Sequence, residues 1–232
     1  MVDLGNLNSP QSRRVYLNAV VFDMDGVIVD SHPLHRVAWR EFLLTVGKDV
    51  NEEALDFVLD GRTRKEILLH FLGPLVDEQL DDYGRLKDEL LRKLVDEVRT
   101  IPGVVEFLDH LSRAGIRMAL ATSASRERAC GTLKELGIAH HFQTIVTGND
   151  VAAGKPDPAI YRLAAERLHM APENLLAIED AVSGVKSATA AGLKCVGVGS
   201  ATRAELLRAA GADPVVPDFR ALSVKQLEAG FQ

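Results

Sequence analysis

An α/β fold is predicted: a parallel sheet with helices on both faces, plus an inserted all-helical domain. Three observations lead there. Short apolar runs alternate with helix-like stretches through most of the chain. The first run, Ala19 to Phe22, is apolar without alternation, as in a strand buried on both faces. The alternation fails once, from about His32 to Arg99, where only helical patterns occur.

The elements follow in order. Residues 15–22 predict the first strand. The helical interruption holds four patterns, at Leu34, Val37, Ala38, Phe42 and Val46; at Leu55, Val58 and Leu59; at Ile67, Leu68, Phe71 and Leu72; and at Leu86, Leu90, Leu91, Leu94 and Val95. Pro33 and Pro102-Gly103 punctuate its borders. Helices are then expected at Val104 to Ala114, Arg126 to Leu136, Ala159 to Leu168 and Ser183 to Ala191, three of them stopped by Gly115, Gly137 and Gly192. Strands are expected at Arg117 to Ala121, Thr144 to Thr147, Leu175 to Ile178, Lys194 to Val198 and Pro214 to Val216.

Composition narrows the class. A chain of 232 residues is about one and a half domains at roughly 150 residues each. With 47% hydrophobic and 26% charged residues it can bury a core without disulfides. A net charge of −6 argues against nucleic acid as partner and against an electrostatic membrane anchor. No apolar run approaches the roughly 20 residues of a membrane span, and the first residues show no signal-peptide pattern. Cys130 and Cys195 are far apart and form no metal-ligand spacing. A reduced, cytoplasmic protein is expected.

In an open parallel sheet the active crevice lies beyond the carboxyl ends of the strands. There the sequence sets Asp23-Met24-Asp25-Gly26, Thr122-Ser123, Gly154-Lys155-Pro156 and Glu179-Asp180. Asp23 and Asp25, two apart on an extended chain, point the same way. Two carboxyls so close resist joint ionisation, so one pKa should rise; one can be a nucleophile while the other, protonated, is a general acid. The alternative is a turn with two solvated aspartates. A calcium loop is excluded: it would want an oxygen ligand at Val27, glycine at Ile28 and glutamate at Leu34. Asp180 suits a helix N-cap; alternatively Asp23 and Asp180 share a Mg²⁺ ion. Lys155, held extended by the proline after it, is either a solvated charge or the partner of the nucleophile and a bound phosphate. Thr122 is either a hydroxyl donor or a plain strand end.

These four segments, in this order, resemble the four motifs of the haloacid dehalogenase superfamily over nearly the whole chain. The resemblance implies a Rossmann-like core, residues 1–31 and 100–232, with a helical cap, 32–99, inserted after the first strand. It implies that Asp23 attacks phosphorus, that Asp25 is acid then base, and that Thr122 and Lys155 hold the phosphoryl group. Mg²⁺ would be bound by the Asp23 side chain, the Asp25 backbone carbonyl and Asp180, with Glu179 a ligand or near-ligand. Dehalogenases of the superfamily lack the second acid, so Asp25 indicates phosphate esters. Ala181 departs from the pattern, since relatives often carry serine there.

The inserted segment resembles that of the β-phosphoglucomutase-like branch at Asp30-Ser31-His32-Pro33-Leu34-His35, Trp39 and Gly61-Arg62-Thr63-Arg64. The resemblance implies substrate-side roles for His35, Trp39, Arg64, Lys87 and Ser123, with His35 positioning Asp25 and Lys87 partnering His35. The bland alternatives are an interfacial histidine, a core tryptophan, a solvated arginine turn and a surface lysine. Gly197-Val198-Gly199 lacks the third glycine of a dinucleotide loop. His140-His141 is expected to end a helix. The expected activity is a Mg²⁺-dependent phosphatase of a small sugar phosphate, in a monomer. The alternatives are β-phosphoglucomutase and a non-catalytic binding domain.

Overall fold

The computed structural model describes residues 17–94 and 99–229 of the protein. Residues 15 and 16 of the first expected strand, the start of the expected core and Val95 lie outside the described residues. Six strands form one parallel sheet: β1 (Ala19–Phe22), β2 (Arg117–Thr122), β3 (Thr144–Thr147), β4 (Leu175–Glu179), β5 (Lys194–Val198) and β6 (Val215–Val216). Their order is β3-β2-β1-β4-β5-β6. The described α-helices are α1 (His32–Thr45), α2 (Arg64–Leu72), α3 (Asp77–Leu94), α4 (Val104–Arg113), α5 (Arg126–Glu135), α6 (Ala159–Leu168), α7 (Val182–Ala190), α8 (Ala201–Ala210) and α9 (Val224–Ala229). No helix among the described residues is long and apolar enough to cross a membrane.

The period-two geometry of β1 sorts the core into two layers. Val20 and Phe22 pack with Phe107 and Leu108 of α4 and Leu133 of α5. Ala19 and Val21 pack with Tyr161 and Ala164 of α6, Val185 of α7 and Leu207 of α8. All four β1 residues are buried, as the unbroken apolar run requires. A third apolar cluster, centred on Trp39, Phe42, Leu55 and Leu68, belongs to the segment α1–α3.

The differences from the expected elements have local causes. Ala54–Leu59 is a single 3₁₀ stretch rather than an α-helix; six residues before Asp60-Gly61 leave little to repay α-nucleation. Helix α2 opens on Thr63, whose hydroxyl accepts from the Glu66 N–H while Glu66 accepts from the Thr63 N–H. That capping box was open to reading in Thr-Arg-Lys-Glu. Helix α3 begins at Asp77, well before Leu86, because its buried face carries Gly84 and Lys87, which hide the apolar period. Helix α8 buries only Ala204 and Leu207, too sparse a stripe to read. His140 and His141 do not end α5, which stops at Glu135 before Gly137 (φ +71); they form a separate 3₁₀ turn.

Strand order reverses at β1. Strands β2 and β3 run to one side, β4 to β6 to the other, so the crevice opens where β1 and β4 end. The register sets Phe22 opposite Ile178, and the Asp23 N–H donates to the Ile178 carbonyl at 3.0 Å. Asp23 and the Glu179-Asp180 pair therefore leave the sheet side by side.

Candidate active site

Asp23 is buried at the end of β1. Lys155 Nζ lies 2.6 Å from Asp23 Oδ1, 2.6 Å from Glu179 Oε1 and 3.1 Å from the Ala121 carbonyl. At 1% exposure, Lys155 is not a solvated charge. Burial opposes its ionisation, but Asp23 and Glu179 more than offset this and raise its pKa. Glu179 is held from every side: the Tyr161 hydroxyl donates to Oε1 at 2.7 Å, and the Asp180 and Ala181 N–H groups donate to Oε2. A Cβ at position 184 would fall on that carboxylate, so α7 needs glycine there.

Asp180 does not cap α7. The N-cap is Ala181, which makes no side-chain cap bond. Asp180 Oδ2 is buried without a hydrogen bond; His32 Nε2 is within ion-pair distance, 3.1 Å, but outside hydrogen-bonding geometry. Gly26 (φ +77) stands where a Cβ would strike Asp180 and His32, so both conformation and close approach demand glycine. Oxygens of Asp23, Glu179 and Asp180 all lie within 4.8 Å of one another. Three buried carboxylates share one lysine, and one of their oxygens, Asp180 Oδ2, is orphaned; this hard-donor set fits Mg²⁺. Without a further cation, burial pushes the Asp23 carboxyl well up, with Lys155 opposing and Glu179, Asp180 and Asp25 adding to the rise. Burial likewise raises Asp180, against His32.

One of the paired carboxyls does rise, but it is Asp23. Burial alone would also raise Asp25, yet Arg128 first and His35 second hold it well below the usual carboxylate range. Ser31 Oγ donates to Asp25 Oδ1 at 2.5 Å, and Arg128 of α5 bonds both carboxylate oxygens. Asp25 is thus a carboxylate in this arrangement, not the protonated acid expected from the pair alone.

His35 Nε2 sits 3.4 Å from Asp25 Oδ1, and its Nδ1 is 3.2 Å from Lys87 Nζ. Burial and Lys87 lower the His35 pKa to about 4. Burial and Arg128 lower Lys87 to about 8. An ammonium only donates, so Nδ1 accepts and the neutral ring carries its proton on Nε2, facing Asp25. Lys87 is 3% exposed and is no surface charge.

Trp39 is core, as its bland alternative had it, and also borders the cavity; the Lys87 ammonium lies 5.3 Å from its ring. Arg64 opens α2 and pairs with Asp88 at 2.7 Å. Ser123 Oγ donates to the Gly61 carbonyl at 2.6 Å, fastening the loop before α2 to the sheet edge. Thr122 accepts the Ala124 N–H at 3.1 Å and is buried at the end of β2.

One cavity gathers Asp23, Asp25, Thr122, Ser123 and Asp180 from the sheet edge, with His35, Trp39, Arg64 and Lys87 from the helical segment. Lys155 and Glu179 are buried next to it, Lys155 joined to the lining residue Asp23 and to Glu179. The sequence reading missed Arg128 and Tyr161 and gave Ser31 and His32 no role. Arg128 carried no signal, being one arginine of Arg-Glu-Arg on a polar helix, and only the fold brings it to Asp25.

The model for haloacid dehalogenase-like hydrolases matches residues 20–198. The phosphorylated carbohydrates phosphatase of Thermotoga maritima is 34% identical over 179 residues, covering 77% of this chain and 83% of that protein. The β-phosphoglucomutase of Bacillus subtilis is 34% identical over 197 residues, covering 79% and 84%. The crystal structure of β-phosphoglucomutase from Clostridium difficile superposes with a TM-score of 0.83 at 28% identity, covering 93% of this chain and 97% of that one. The chain belongs to the haloacid dehalogenase-like hydrolases and is a phosphoryl-transfer enzyme.

Proposed function

We propose that the protein is a Mg²⁺-dependent phosphatase of a small phosphorylated carbohydrate, working through an aspartyl-phosphate. The observation that carries this is the Lys155–Asp23 contact at 2.6 Å in a cavity that also holds Asp25. It fixes one carboxylate oxygen and leaves the side chain at the cavity wall. Asp23 attacks phosphorus, and the bond from phosphorus to the ester oxygen breaks. Asp25, protonated once the Arg128 guanidinium is drawn off it, gives that proton to the leaving alcohol. It then takes a proton from water, whose oxygen attacks phosphorus and frees Asp23. Asp23, Asp180, the Asp25 carbonyl and Glu179 would hold the Mg²⁺, which supplies charge neutralisation at the phosphoryl oxygens. Thr122 and Lys155 hold the phosphoryl group from the sheet side.

Residues 32–99 act as a cap over a discontinuous core, 1–31 and 100–232. His35, Trp39, Arg64, Lys87 and Ser123 face the non-reacting part of the substrate. The enzyme works as a cytoplasmic monomer.

The likeness to β-phosphoglucomutases supports a second reading, in which the phosphoryl group returns to sugar instead of water. A Mg²⁺-dependent assay on a panel of sugar phosphates separates the two. It includes β-glucose 1-phosphate with a bisphosphate primer and follows phosphate release and glucose 6-phosphate together. Phosphate release is expected; fast isomerisation with little free phosphate would overturn it.

A further inference from the structure

Gly84 lies inside the 18-residue helix α3 and is buried. Glycine is the poorest helix former after proline. The helix runs through it to Leu94, so no bend or stop explains it. The space a side chain would fill is taken by Arg64. A Cβ at position 84 would stand 2.5 Å from both Cζ and Nε of Arg64 and 2.9 Å from Nη2. The guanidinium therefore lies against α3 at Gly84.

Its Nη1 reaches Asp88 Oδ2 at 2.7 Å. Positions 84 and 88 share one helix face. Together they form a slot, with the glycine as floor and the aspartate as stop. Arg64 is 31% exposed in its side chain and borders the cavity shared with Asp25. A long side chain so exposed has several rotamers open to it; the slot selects one. A guanidinium has five N–H donors, so the bond to Asp88 does not exhaust it.

We propose that Gly84 is a specificity-determining positioning residue: by omitting a side chain it lets α3 seat the Arg64 guanidinium at the cavity wall, where it meets the non-reacting part of the substrate. This rests on the preceding reading of Arg64 as a substrate contact. Gly84 touches no substrate and acts through Arg64. The slot also accounts for the helix-unfavourable residue, which the apolar period of α3 does not.

The test is Gly84→Ala, assayed on fructose 1-phosphate and glucose 1-phosphate with Mg²⁺. Alanine favours the helix and the far end of an arginine moves easily, so the melting temperature should hold or rise. KM should rise about fivefold or more while kcat stays within about twofold, the pattern of lost uniform binding. A merely structural role would not split KM from kcat. Arg64→Ala should raise KM as much, and adding Gly84→Ala to it should change KM by less than about twofold, since the two act as one unit.

A wild-type KM in Gly84→Ala, or additive effects in the double variant, would overturn the positioning role and leave the hydrolase reading standing. So would an unchanged KM in Arg64→Ala. Should Gly84→Ala fold poorly, the double variant removes the clash. Its recovery supports the slot, and equal misfolding overturns it. If the wild-type protein turns over no ester, the hydrolase reading falls instead. The slot is then judged by the ¹⁵N–¹H resonance of Arg64 Nε: displaced by Gly84→Ala if the slot exists, unmoved if it does not.

Discussion

Arg128 holds Asp25 by both ends: Nη1 stands 3.0 Å from Oδ1, and Nη2 bonds Oδ2. The two residues are 103 apart in sequence. The grip aims the side chain and keeps it a carboxylate, the form that accepts a proton from water. To protonate a leaving alcohol first, Asp25 must acquire a proton with the guanidinium drawn off. Arg128→Met should therefore lower kcat about 10- to 100-fold through lost orientation. Arg128→Lys should not rescue it, since one ammonium does not bridge both oxygens. Leaving Asp25 with only Ser31 and His35 should also cost about 1–3 kcal/mol, or several degrees of melting temperature. A wild-type kcat in Arg128→Met would remove Arg128 from the mechanism.

Asp23→Asn should abolish turnover, by about 10⁴-fold or more, while leaving the fold intact. The fold survives because Lys155 keeps its bond to Glu179 Oε1 at 2.6 Å. Circular dichroism and a single-turnover phosphate assay check the two halves separately. Substantial residual hydrolysis would mean that another group attacks phosphorus.

Asp180→Asn should weaken Mg²⁺ binding at least about tenfold, read by calorimetric titration and not by activity. In EDTA the variant should be as stable as the parent or more so. Burial raises the Asp180 carboxyl, so its charge is a net burden when no cation is bound. An unchanged Mg²⁺ titration would place the ion elsewhere.

The sheet and its edge were legible because their signals are local. Thr144–Thr147 and Lys194–Val198 match the expected strands residue for residue, as does the helix Ala159–Leu168. The carboxylates, Thr122 and Lys155 were legible because strand ends point to one crevice. Contacts across the chain were not. Arg128 reaches Asp25 only through the fold, and Tyr161 reaches Glu179 from the face of α6 that reads as core. Lys87 was hidden by its own chemistry: a lysine on a polar helix reads as solvated, yet the fold buries it against His35. The direction of the paired carboxyls was not legible either. Spacing says that one pKa must rise; in the fold burial raises Asp23, while Arg128 holds Asp25 down.

Asp150 gives a pH prediction away from the acidic cluster. Its Oδ2 accepts from the Thr147 N–H at 2.8 Å and the Thr147 hydroxyl at 2.7 Å. Its Oδ1 meets Arg126 at 2.7 Å and Arg167 at 2.9 Å. The loop leaving β3 toward Lys155 is thereby tied to α5 and α6. Burial would raise this carboxyl, but the Thr147 bonds, Arg167 and Arg126 outweigh it and depress the pKa. A depressed carboxylate contributes stability that is present above its unfolded pKa of about 3.9 and lost as pH falls through the folded value. Arg126 and Arg167 are 48% and 35% exposed, so solvent screening discounts the ion pairs. What remains is mainly the negative charge that strengthens the Thr147 bonds, about 1–2 kcal/mol, which a neutral amide lacks. Asp150→Asn should therefore melt a few degrees lower than the parent, by a constant margin from pH 6 to 8. The margin should shrink as pH falls from about 5 toward 2, because the parent then loses what the variant never had. Melting curves across that range check it, and a margin still undiminished at pH 2 would mean that the charge on Asp150 contributes nothing to holding the loop.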